Sequence, residues 1–134
     1  MILPNGATVA VLDGESLQLF HNRGHEPSID LVALPTPQIE GGKAGSGGRH
    51  RSSTANPDDK RLAEDNFAAA CGVLLSKTVL DGNIEKLLII ADSRTLGELR
   101  RHLHPAVHQR LLGEIVKNLV GRPKRDIEAS IEAV

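Results

Sequence analysis

Aromatic residues are almost missing from this chain. It has no Trp, no Tyr, and only Phe20 and Phe67 among 134 residues. The core must therefore be built from Leu, Ile, Val and Ala. The usual grip on single-stranded nucleic acid, in which bases stack on aromatic rings, has almost nothing to work with. Cysteine is equally scarce. Cys71 stands alone, so no internal disulfide can form. Its place in the apolar run of residues 68–73 reads as a small buried hydrophobe rather than a reactive thiol. Long apolar runs are absent too. The longest strongly apolar one is Leu87–Ala91, far too short to cross a bilayer, so no membrane insertion is expected. No basic stretch opens the chain, and Asp13 and Glu15 interrupt its first apolar segment, which excludes a secretory signal and points to the cytoplasm. Nor is there a P-loop, a dinucleotide fingerprint, or a legible Ser-His-Asp or Cys-His arrangement. The sequence names no catalytic residue and implies no cofactor.

What is present describes a single α/β domain over residues 1–134. Residues 8–12 read as a buried strand ended by Asp13-Gly14, a strong hairpin signal. Residues 16–21 alternate, with Leu17, Leu19 and His21 on one side and Gln18 and Phe20 on the other. Residues 29–34 form a third strand stopped by Pro35 and Pro37, which completes an antiparallel meander. Residues 41–56 break the pattern with clustered glycines, the cations Lys43, Arg49 and Arg51, and no apolar period. A flexible loop is expected there.

A helix follows, with Asn56 as cap, Pro57 at its first position, and Asp58 and Asp59 at the positive end of its dipole. Ala63, Phe67, Ala70, Cys71 and Leu74 give it a stripe at helical spacing. The run Leu87–Ala91 is a strand covered on both faces. The helix before it allows a parallel pairing near the sheet's centre. Ser93 is the expected cap of the next helix, whose inner face carries Leu96, Leu99 and Leu103. Pro105 ends that helix. The stretch beyond it divides into a short helix to Leu112 and a strand over residues 114–119. Arg122-Pro123 opens a final helix carrying Ile127 and Ile131. The fold class is thus α/β, with one mixed sheet of about five strands packed with helices.

Charge is nearly balanced at −1 but unevenly spread. Residues 1–40 carry one cation, Arg23, against five acids, whereas residues 94–125 carry eight cations against two acids, Glu98 and Glu114. Such asymmetry can mark a polyanion-binding face. Two segments are candidates for it. Lys43, Arg49 and Arg51 lie among glycines that allow close backbone approach, and Arg94, Arg100 and Arg101 lie on the helix after the buried strand. Asp13 and Asp92, both at strand ends, form an alternative centre that could hold a divalent metal for phosphoryl chemistry, although each also suits a turn or a cap. His102, His104 and His108 cluster without a recognised ligand spacing and read as surface histidines.

The stretch from Arg94 through Leu96-Gly97-Glu98-Leu99-Arg100-Arg101-His102-Leu103-His104 to Pro105 resembles the signature of the bacterial host attachment protein family. The likeness continues through the strand and turn of residues 9–14, Phe67-Ala68 and Lys117-Asn118-Leu119. It departs at Asn118, where that family usually has an acid, and in segment 41–56, which is shorter and less acidic. That family is similar in turn to the middle domain of archaeal and eukaryotic peptide-chain release factors, with three strands, a Gly-rich basic loop, a long helix and a buried strand. In release factors the loop bears a Gly-Gly-Gln tip that enters the ribosome and promotes peptidyl-tRNA hydrolysis. Here Gly41-Gly42 precedes Lys43 and Gly47-Gly48 precedes Arg49, so hydrolysis is not implied. The reading is a non-catalytic binding module that contacts RNA or the ribosome. A protein-interaction role in attachment to host cells, with a protein partner, and a metal-dependent enzyme stand as the alternatives.

Overall fold

A computed structural model describes residues 1–36, 39 and 57–134. Segment 41–56, with Lys43, Arg49 and Arg51, lies outside the described residues. The elements run β1 (Thr8–Leu12), β2 (Leu17–Asn22), β3 (Leu31–Leu34), α1 (Pro57–Leu80), β4 (Leu87–Ala91), α2 (Ser93–Arg100), α3 (Pro105–Arg110), β5 (Leu111–Val116) and α4 (Lys124–Glu132). The α/β class, the element order and the mixed sheet of five strands match the sequence reading.

The strands lie in the order β3-β2-β1-β4-β5. β1 and β2 pair antiparallel, as do β2 and β3, which is the expected meander. β4 joins β1 in parallel, with Thr8 opposite Leu87 and Leu12 opposite Ala91, and β5 joins β4 in parallel. The middle strand is β1, and β4 beside it lies inside the sheet with a parallel neighbour on each side, as expected. Both β1 and β4 are buried along their whole length, which is why neither alternates in the sequence.

Period-two alternation sorts the side chains into two cores. On one face Ala10, Leu12, Leu19, Leu87 and Ile89 pack against α1, α2 and α3 through Phe67, Cys71, Leu75, Leu96, Leu99 and Val107. On the other, Val9, Val11, Phe20, Leu88, Ile90 and Ile115 pack against Ile127 and Ile131 of α4 and against Leu3. Leu88, Ile89 and Ile90 are fully buried. Each contributes on the order of 1.5–3 kcal/mol of transfer free energy.

Four local expectations are corrected. The inner face of α1 holds Phe67, Ala68, Cys71, Gly72, Leu75 and Val79, while Ala63 is exposed and the buried face begins only at Phe67. At Gly72 a β-carbon would lie 2.8 Å from that of His102, so the small residue lets α1 lie against the turn after α2. β3 begins at Leu31 rather than residue 29, since residues 23–30 are folded into a turn closed by Arg23 N–H on the Asp30 carbonyl. The cap of α2 is Asp92, in extended conformation, not Ser93. Finally, β5 starts at Leu111, not residue 114. An irregularity between its pairings with Leu87 and Leu88 leaves Leu112 extra, and this masks the alternation.

Candidate functional site

Three parallel strands, β1, β4 and β5, end at the same edge of the sheet. In open α/β sheets the carboxyl edge is where chain ends diverge and leave room for ligands. Here Asp13 follows β1, Asp92 follows β4, and Lys117-Asn118 follows β5. A cavity of about 270 Å³ opens at this edge, lined by Asp13, Glu15, Lys60, Glu64, Asp65, Asp92, Arg94, Thr95 and Asn118, with Gly14 and Ala68. At Gly14 a β-carbon would fall 2.7 Å from Glu64 Cγ, so any larger residue there would have to push the Glu64 side chain of α1 aside. Of the residues lining this cavity, Lys60, Glu64 and Asp65 had no place in the sequence reading. They are reached only through the packing of α1 against the strand ends.

The structure brings Asp13 and Asp92 to one cavity, but each is occupied. Asp13 Oδ1 accepts from the backbone N–H of Glu15 at 2.8 Å and of Ser16 at 2.7 Å, which shapes the turn. Asp92 Oδ2 accepts from Thr95 N–H at 3.1 Å, and its Oδ1 from the Thr95 hydroxyl at 2.7 Å, which caps α2. Among the described residues no group of three or more His, Cys, Asp or Glu side chains is placed to hold a metal ion.

The cations of α2 point different ways. Arg94 Nη2 donates to Asp65 on α1 at 2.8 Å. Arg100 donates to Glu114 on β5 from Nη2 at 2.6 Å and from Nε at 3.1 Å. Six residues of α-helix turn about 600°, so the two side chains leave α2 about 120° apart. In both cases the hydrogen bond to the carboxylate comes first in raising the guanidinium pKa above its ordinary value. Arg101 is 74% exposed and stands 3.5 Å from Glu98. It shares that carboxylate with His102, whose Nε2 lies 3.2 Å away. His104 accepts a hydrogen bond at Nδ1 from Ala106 N–H and so caps α3. His102 and His104 thus serve the ends of α2 and α3.

A second hollow, of about 440 Å³, lies beyond β5 against α4 and also includes Asn118. Its cations, Lys117 and Arg122, belong to the basic stretch of residues 94–125 but were not singled out. The signal that could have found them is the acid-free run of residues 117–125, which starts where β5 ends.

No helix among the described residues is long and apolar enough to cross a membrane. No curated protein matches the chain. A family model does, over residues 6–131: bacterial archaeo-eukaryotic release factor family 12. The release-factor half of the resemblance read from the sequence is therefore supported, while host attachment finds no counterpart in these comparisons. With the match spanning both strand meander and parallel half, the chain belongs to bacterial archaeo-eukaryotic release factor family 12.

Proposed function

We propose that the chain is a non-catalytic binding module linked to translation. It contacts RNA or the ribosome through Lys43, Arg49 and Arg51, and Arg94, Arg100 and Arg101 contribute further cations. One observation carries this reading: within a release-factor family, the connection between β3 and α1 carries three cations and no acid over residues 41–56. That is the place at which release factors, by the resemblance, hold the tip that enters the ribosome. Lacking glutamine after either glycine pair, this connection is suited to hold phosphates rather than to release a peptide.

The chemistry of the described residues favours holding over reacting. Asp13 and Asp92 both spend acceptor capacity on backbone N–H groups. The arginines keep their charge at any physiological pH. Their carboxylate partners do not forbid a phosphate contact. Arg94 and Arg100 are solvent-exposed, at 42% and 53%, and exposed ion pairs of this kind are worth only about 0–1 kcal/mol, so a phosphate can share or displace the carboxylate.

The test is co-sedimentation of the purified chain with ribosomes and with ribosomal RNA, at about 50 and 200 mM salt. Pelleting at low salt that falls steeply as salt rises, and that drops at least tenfold in Lys43→Ala/Arg49→Ala/Arg51→Ala, is the expected result. Absence of pelleting at low salt, or pelleting indifferent to both salt and the triple substitution, overturns the reading. Capture of a protein complex that survives nuclease would put a protein partner in its place.

A further inference from the structure

We propose that the hollow between the end of β5 and the flank of α4 is an anion site that takes a phosphate group. The local sequence builds it. Residues 117–125 hold Lys117, Arg122, Lys124 and Arg125 and no acid. Gly121, at φ 83°, adopts the left-handed conformation that turns the chain back, and Arg122 N–H closes that turn on the Leu119 carbonyl at 3.1 Å. Lys117 and Arg122 thereby come to line one groove, with Asn118 and Ser130 beside them and, among the described residues, Asp126 as its one carboxylate. The walls are anchored, because Leu119, Ile127 and Ile131 are all buried in the core between the sheet and α4.

The groups in this groove are available. Among the described residues the side chains of Lys117, Asn118 and Ser130 have no hydrogen-bond or ion-pair partner. Arg122 is 61% exposed and lies 3.6 Å from Asp126, beyond hydrogen-bond range. An exposed contact of that kind is weak enough to be shared or displaced. A guanidinium fork, an ammonium point charge, an amide and a hydroxyl together suit an anion with several oxygens at tetrahedral angles. A phosphate offers these, whereas a carboxylate offers only two oxygens in one plane. Position agrees, since the groove adjoins the carboxyl edge of the parallel strands. An RNA backbone and a free phosphorylated small molecule both present such a phosphate. The site uses none of the residues of the RNA contact proposed above and does not rest on it.

The experiment is a backbone-amide NMR titration of the full chain with inorganic phosphate, against sodium chloride at matched ionic strength. Saturable shifts confined to residues 117–119 and 122–130 are expected. Lys117→Ala/Arg122→Ala, with an unchanged thermal melt, should weaken the apparent affinity about tenfold or more, and Arg122→Lys, which keeps charge but loses the fork, should weaken it by a smaller factor. A second arm uses a short single-stranded RNA. Tighter saturation at the same amides assigns the phosphate to RNA, and saturation by inorganic phosphate alone assigns it to a small molecule. The proposal fails if chloride reproduces the shifts, if they do not saturate, or if the double substitution leaves them unchanged.

Discussion

Glu128 on α4 accepts a hydrogen bond from the main-chain N–H of Leu31 at 2.8 Å, ninety-seven residues away in the chain. Leu31 opens β3, an edge strand, and this N–H has no strand to meet. One helical turn earlier, Lys124 Nζ donates to the Leu31 carbonyl at 3.1 Å. Two side chains of α4 therefore occupy both outward backbone groups of Leu31, much as a neighbouring strand would, and close part of an edge that could otherwise template aggregation. Glu128→Ala is expected to cost about 1.5–3 kcal/mol, since it leaves a partly buried N–H without its charged partner. Glu128→Gln keeps an acceptor and should cost less. Urea denaturation midpoints check the order. Equal losses for both variants would mean that packing, not the hydrogen bond, holds α4 on the edge.

Asn22 is fully buried and completely satisfied. Its amide donates to the carbonyls of Leu3 and Pro4, both at 3.1 Å, and its oxygen accepts from the N–H groups of Gly24 and Asp30, both at 2.9 Å. One side chain thus ties the N-terminal segment to the β2–β3 turn. Asn22→Ala strands the N–H groups of Gly24 and Asp30 and the Leu3 carbonyl, while the Pro4 carbonyl keeps the Ala7 N–H, and a loss on the order of 2–5 kcal/mol is expected. Asn22→Asp should be worse at neutral pH, because a buried carboxylate would face two carbonyl oxygens. Its folded pKa must then rise, so its penalty should shrink as the pH falls toward 4, about the ordinary carboxylate value. A penalty for Asn22→Asp that does not change between those pH values would count against this geometry.

Much of the architecture was legible because its signals are local. The apolar run of β4, the Asp13-Gly14 turn after β1, and the alternation of Leu17, Leu19 and His21 with Gln18 and Phe20 each fix an element within a few residues. The errors arise where distant parts decide. Ala63 has helical spacing, yet the buried face of α1 begins only at Phe67. The extra residue at Leu112 breaks the alternation that would have announced β5. The candidate site fared likewise. Arg94 and Arg100 were legible as cations, but their partners Asp65 and Glu114 sit 29 and 14 residues away and come together only through α1–α2 and α2–β5 packing. Periodicity says that a residue is on a surface and does not say what shares it.

Asp92 offers a direct separation of capping from metal chemistry. Its two carboxylate oxygens hold Thr95 through the backbone N–H and the hydroxyl. Asp92→Ala should cost about 1 kcal/mol, and Asp92→Asn, which keeps a capping oxygen, distinctly less. Neither change should alter how the protein melts in the presence of excess magnesium or a chelator. A melting temperature that rises with the metal in the native chain and not in Asp92→Ala would restore the phosphoryl-transfer alternative.

Asp30 gives the edge of the sheet an acid sensitivity. Its carboxyl is held below the ordinary value first by the hydrogen bond from Arg23 Nε at 2.9 Å, with the charges of Arg23 and Lys124 adding to it. A carboxyl whose folded value is depressed stabilises fully above its unfolded value near 3.9, and that contribution disappears as pH falls through the folded value. Because the pair is exposed to solvent, the effect is small and should weaken further with salt. The stability difference between the native chain and Asp30→Asn is therefore expected to narrow as pH drops below about 4. A difference that widens on acidification would reverse the assigned sign.

Cys71 is fully buried on the inner face of α1. Burial, with a smaller push from the charge of Asp13, raises its thiol to about 12. At pH 8 only about one molecule in ten thousand would then carry a thiolate, the form that reacts. Labelling by a thiol reagent should be slow in the native protein and should require opening of α1 from the sheet. Adding urea below the unfolding midpoint should speed it in proportion to the open fraction, whereas raising the pH by one unit without urea should not expose the sulphur. Rapid labelling of the folded chain at neutral pH would show that α1 separates from the core far more readily than its packing through Phe67, Cys71 and Leu75 implies.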